Sequence, residues 1–226
     1  MTHKLLIGIL LLTLFLSPNT PFCTGGKMSF WDVQRKGANG GDGANRSEWF
    51  QAAGELGLKF IRLTPVTWKP ARRDFLIGDA DEYTGIPPAD LEALIQALDF
   101  AETYRVKIVL SMFELPGTRY SQHNNDQFDY RLWIDETYQQ QALQFWKDLV
   151  REIKNHPAIV AYNPLNEPHS ERKDGHTSGT PEFEKWLEKN RGGAADLNRF
   201  YRRMVKAIRE VDPGTPIILD CCFHAC

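Results

Sequence analysis

Apolar positions recur along the chain in two rhythms. Short, mostly apolar runs at residues 59–63, 106–110, 158–162 and 216–220 predict strands, 31–38 reads as a first strand ahead of them, and the run at 158–162 reads as one covered on both faces, as in a parallel sheet. Between them lie stripes at helical spacing: Trp49, Phe50, Ala53 and Leu56; Leu91, Leu94, Ile95, Leu98 and Ala101; Leu143, Trp146, Leu149, Val150 and Ile153; Leu197, Tyr201, Met204, Ile208 and Val211. Ser47 is placed to cap the first helix and Gly57 to end it. Glycines at the end of the first strand, at 37, 40 and 41, allow a sharp turn.

Strand, loop, helix and strand alternate four times before a fifth strand, which argues for parallel βα units. The strand-to-helix connections are long and polar, at 64–88, 111–134 and 169–193, whereas the returns are only a few residues. That asymmetry is the mark of a (β/α)8 TIM barrel, whose functional loops leave the carboxyl ends of the strands. A doubly wound open sheet is the other parallel arrangement, but no Gly-x-Gly-x-x-Gly opens a helix after the first strand. A barrel takes about 250 residues and eight strands, so the expectation is an α/β chain truncated after about the fifth strand.

Composition narrows the class. The 226 residues are 42% hydrophobic and 25% charged with a formal net charge of -2, an ordinary globular makeup with no excess of positive charge for nucleic acid. Residues 1–24 carry Lys4 and then twelve apolar or near-apolar positions from Leu5 to Leu16. This reads as a secretory signal peptide, too short for a spanning helix of about twenty residues. Export places the protein outside the cell or in a periplasm; separately, a monomer without stable membrane insertion is expected, with residues 25–226 as a partial catalytic domain. Cys23, Cys221, Cys222 and Cys226 are the only cysteines. A pair among them could oxidise, though adjacent Cys221 and Cys222 point to opposite faces of a strand. Neither a metal nor a cofactor is expected.

Candidate chemistry sits where the fourth strand ends, at Asn166-Glu167-Pro168. Together with Arg62 inside the second strand, Gly37-Ala38-Asn39 and the Leu115-Pro116-Gly117 turn, this resembles glycoside hydrolase family 5, the cellulase family, over its first five-eighths. The resemblance implies retaining hydrolysis of O-glycosidic bonds in β-linked polysaccharides or glycosides, with an oligo- or polysaccharide as partner. Glu167 is then the acid/base, protonating the leaving oxygen and later deprotonating the attacking water. Asn166 would bond the sugar 2-hydroxyl, and Arg62 would keep the nucleophile ionised and oriented. Asn39, His169 and Trp68 are further candidates for binding or orienting substrate.

The family's nucleophile is a Glu after the seventh strand, so it is expected beyond the last residue of this chain and the fragment is expected to be inactive. Glu114, a solvated loop acid by default, and Asp220 are the weaker local substitutes. Phe113 stands where many relatives have a His. The loop aromatics Trp68, Tyr83, Tyr120, Tyr130 and Trp133 either stack on sugar or anchor their loops. A non-catalytic carbohydrate-binding remnant of such a barrel is the alternative. An α/β hydrolase is disfavoured, because no Gly-x-Ser-x-Gly occurs.

Overall fold

In the computed structural model, residues 26–68, 74–79, 81–176 and 179–221 are described. The expected signal peptide, Cys23, Cys222 and Cys226 lie outside them. The elements are β1 (Gly37–Gly40), α1 (Ser47–Glu55), β2 (Phe60–Leu63), α2 (Pro88–Thr103), β3 (Lys107–Ser111), α3 (Glu136–Ile153), β4 (Ile159–Asn163), α4 (Pro181–Asn190) and α5 (Leu197–Arg209). The four strands form one parallel sheet in the order β1-β2-β3-β4. The expected fifth strand makes a single parallel bridge, Tyr162 to Ile217, with the Ile218 N–H donating to the Tyr162 carbonyl at 2.8 Å. This is the strand-by-strand progression of a (β/α) barrel.

The sheet has a helix-facing side and a concave side, and the strand alternation assigns residues to each. Ile61, Leu63, Ile108, Leu110, Ile159 and Tyr162 join the main core, packed against Phe50, Leu94, Leu98, Trp146, Phe200 and Met204 from the helices. Val109, Val160 and Ala161 face the other way. Between Ile108 and Val109 the β3–β4 register shifts, because Ile159 pairs with Ile108 and Ala161 with Val109. Val160 is therefore an extra residue, a β-bulge. Without it, period-two alternation would put Tyr162 on the concave side and Asn163 among the helices.

The first strand, expected over 31–38, begins only at Gly37. Residues Lys27–Trp31 form a 3-10 turn instead. Trp31 and Phe30 close the amino end of the concave side against Phe60, Val109, Val160 and Ala161, and the Trp31 indole donates to the Val160 carbonyl at 3.3 Å. Burial of two aromatic rings outweighs the strand propensity of this stretch. In β1 itself a Cβ at Gly37 would lie 2.3 Å from the Phe60 ring, so the glycine gives the ring its space.

Two other expectations change. Ser47 is the first residue of α1, not its cap; the cap position is Arg46, without a side-chain capping bond, and the Ser47 hydroxyl pairs with the Tyr104 hydroxyl at 3.2 Å. Gly57 does end the helix region, at φ 75°. Within 169–193, expected as loop, α4 forms with Pro181 in its first turn and Thr180 accepting from the Phe183 N–H at 3.2 Å.

Candidate active site

The carboxyl ends of the strands place a polar cluster on the concave side. Arg62 from β2 is in register with Asn39 of β1 and Val109 of β3. Its Nη2 donates to Asn163 Oδ1 at 2.5 Å and to Asp220 Oδ2 at 2.9 Å. Asn163 ends β4, and its Oδ1 also accepts from the Ser111 hydroxyl at 2.6 Å. Its Nδ2 donates to the Ile218 carbonyl at 2.9 Å and to Asp220 Oδ1 at 3.1 Å. A fully buried amide thus uses both ends, as a polar group withdrawn from water must. Asp220, expected only as a weak substitute nucleophile, is instead the carboxylate partner of Arg62.

Just beyond β4 the chain turns through Pro164 to Glu167. Here the Asn166 N–H donates to the Met112 carbonyl at 2.7 Å, and the Trp146 indole donates to the Pro164 carbonyl at 3.0 Å. Glu167 has φ 43°, a left-handed conformation that costs a non-glycine residue roughly 1–2 kcal/mol. Its N–H donates to Asp220 Oδ2 at 3.2 Å, so one carboxylate ties the guanidinium to the backbone of the candidate acid. Glu167 is half-buried. Asn166 is 3% exposed, and its Nδ2 is buried with no hydrogen-bond partner.

His169 is also 3% exposed. Its ring sits among Tyr120, Phe128 and Tyr130, at centroid distances of 4.8, 5.4 and 6.1 Å. Burial holds its pKa below the usual histidine value, only partly offset by its bond to the Glu167 carbonyl. The Tyr120 hydroxyl is pushed up, first by burial and then by the charge of Glu167.

The remaining candidates divide. Asn39 is exposed on the concave side beside Arg62. Trp68 does not join the polar cluster: its indole donates to the Gly41 carbonyl at 2.8 Å and its ring packs edge-on to Phe75. Trp133, 2% exposed, packs against Phe200, and Tyr83 donates to Asp148 while resting on Phe145. These two anchor their loops. Glu114 is 3% exposed, not the solvated loop acid expected. Phe113 stands beside Tyr120, 5.4 Å between centroids. Cys221 is disulfide-bonded.

Next to Asp220 a cavity of about 730 Å3 opens between α4 and the start of α5, lined among others by Glu171, Trp186, Tyr201 and Arg202. That volume lies within the range of small-molecule sites. Neither α4 nor the Asp220 pairing is among the expectations from the sequence. For α4 a signal existed, Thr180-Pro181 followed by Phe183 and Trp186 at helical spacing.

Parallel βα units with an acid, an amide and an arginine gathered at the carboxyl ends of the strands are the arrangement of a (β/α) barrel, the fold in which functional residues lie at those ends. More narrowly, the chain belongs to the cellulase family, glycosyl hydrolase family 5, whose family model matches residues 24–221. It is 23% identical over 167 residues to a β-xylosidase of Phanerodontia chrysosporium, covering 73% of this chain and 29% of that protein. Among solved structures it is similar to an endoglucanase from Pseudomonas stutzeri, at 19% identity and TM-score 0.54 over 82% of this chain and 51% of that one. A β-mannanase from the blue mussel Mytilus edulis matches at 20% identity and TM-score 0.55, over 81% and 57%. These likenesses establish the fold. The chain spans about half the length of these structures and 29% of the β-xylosidase.

Proposed function

We propose that this chain is part of the catalytic barrel of an exported retaining β-glycosidase, with Glu167 as its acid/base. The observation that carries the reading is the buried, unpartnered Nδ2 of Asn166 beside the half-buried Glu167. A buried donor left unbonded costs about 1–3 kcal/mol, and a sugar hydroxyl entering the cleft would relieve it. Such a bond strengthens as oxocarbenium character develops at the neighbouring carbon. Glu167 would give its proton to the glycosidic oxygen and later take one from water.

Retention needs a second carboxylate about 5–5.5 Å from the first. Asp220 is a poor nucleophile, because its oxygens already accept from Arg62, Asn163 and the Glu167 N–H. The nucleophile is therefore assigned to a part of the barrel outside these strands, consistent with the half-length match to its relatives. Residues 1–24 would direct export. The sugars named for the similar proteins point to β-linked glucan, mannan or xyloside substrates. No metal or cofactor enters this chemistry.

Titration of the chain with cello-, manno- and xylo-tetraose, followed by NMR, tests the site. Saturable binding of at least one, weakened about tenfold in Asn166→Ala, is expected. Absence of binding to all three, or binding indifferent to Asn166, would sink the assignment. Hydrolysis of an activated aryl β-glycoside by the 226-residue chain should be negligible. Clear turnover abolished by Glu167→Gln would place both carboxylates within this chain and make Asp220 or Glu114 the nucleophile.

A further inference from the structure

Glu167 is held in an unfavourable backbone conformation by contacts that the hydrolysis reaction does not call for. Its carbonyl accepts from two side chains, the Tyr120 hydroxyl at 2.7 Å and His169 Nδ1 at 3.0 Å. A carbonyl oxygen has two lone pairs and no proton. Nδ1 of His169 must therefore carry the hydrogen, and both lone pairs are used. Tyr120 also lies 3.3 Å from the Asn166 carbonyl, but its single proton belongs to the shorter contact. On the other side of the same residue, the N–H is fixed by Asp220. Pro168, next in sequence, has no N–H to give.

The two donors come from different places. Tyr120 belongs to the loop after β3, which is braced by ion pairs. Arg119 reaches Asp74 at 2.6 Å and Asp129 at 3.8 Å, and Arg131 reaches Asp81 at 2.6 Å and Asp129 at 2.8 Å. His169 is packed among Tyr120, Phe128 and Tyr130, so the aromatic rings fix one donor relative to the other.

We propose that Tyr120 and His169 are positioning residues that hold the Glu167 backbone in its left-handed conformation and thereby set where its carboxyl group enters the cleft. Strain at a functional residue persists only where surrounding contacts over-determine it, and here three side-chain bonds converge on one residue, one at its N–H and two at its carbonyl. Burial keeps the Tyr120 hydroxyl protonated and His169 uncharged, so neither donor is lost near neutral pH. The inference rests on Glu167 being the acid/base, but its structural content stands apart from activity.

Its test is therefore made on the backbone. Amide hydrogen exchange and the three-bond coupling that reports φ are measured at Glu167 in the chain itself. Tyr120→Phe and His169→Leu should each speed exchange of the Glu167 amide about tenfold and shift the coupling, as expected when a buried carbonyl loses a donor. The amides of Val109 and Ala161 should not change. His169→Asn, which retains a donor near the Nδ1 position, should stay within about twofold of the parent. Unaltered exchange and coupling at Glu167 in both Tyr120→Phe and His169→Leu would overturn the proposal, as would equal acceleration across the whole sheet. Failure of sugar binding in the oligosaccharide titration would count against the glycosidase reading without touching this result.

Discussion

Unfolding hands His169 back to water, where its ring titrates near the ordinary value of 6.5. In the fold its pKa is lowered by burial, so the unfolded state binds more protons over the interval between the two values. Its contribution to stability is complete above about pH 6.5 and declines as pH falls from there toward the lowered folded value. Thermal melts should show a larger loss between pH 7.5 and 5.5 in the parent than in His169→Gln; equal losses would mean His169 is not buried neutral. Arg62→Ala removes the donor shared by Asn163 and Asp220 and should destabilise by about 1–3 kcal/mol in denaturant titrations. The grouping of Arg62, Asn166, Glu167 and His169 on one face was legible because Arg62 lies within a strand and the other three follow the end of another. The pairing of Arg62 with Asp220 was not, since the two are 158 residues apart. Asn163 was hidden at the end of an apolar run, and Tyr120 read only as one of several loop aromatics.

At the level of elements, the strand positions followed from apolar runs, while their details followed from contacts. The bulge at Val160 cannot be read from an uninterrupted apolar stretch, yet it turns Asn163 toward Arg62. Trp31 is apolar enough for a strand but is recruited by Phe60 and Val160 as a plug. The Leu115-Pro116-Gly117 turn has a firmer requirement. Gly117 has φ 77°, and a Cβ there would lie 2.6 Å from the Tyr138 ring. Its carbonyl also accepts from the Leu132 N–H at 2.7 Å. Gly117→Ala should therefore cost about 1–3 kcal/mol through strain and the displaced ring. Chemical denaturation that shows no loss would contradict the steric reading of this turn.

On the scale of the whole molecule, the sheet is open among the described residues: β1 pairs on one side only, and the fifth segment bonds through a single bridge. Ile218 and Leu219 beside that bridge are 38% and 44% exposed. Unpaired edges and exposed apolar side chains favour association, so light scattering should show concentration-dependent growth that Leu219→Lys reduces. Growth unaffected by the charge would place the sticky surface elsewhere. The four-stranded arc nonetheless brings Asn166, Glu167 and Arg62 to one face, as the alternation of strands and long loops implied. The acid/base role of Glu167 is tested most directly by turnover of an activated aryl β-glycoside, whose phenolate departs without a proton, in a complete barrel containing these residues, comparing the parent with Glu167→Ala with and without azide. A loss of about 10²–10⁴-fold is expected, with azide restoring turnover by forming a β-glycosyl azide, since an anionic nucleophile needs no general base. Turnover equal to the parent's, or a loss that azide leaves unchanged, would contradict the assignment.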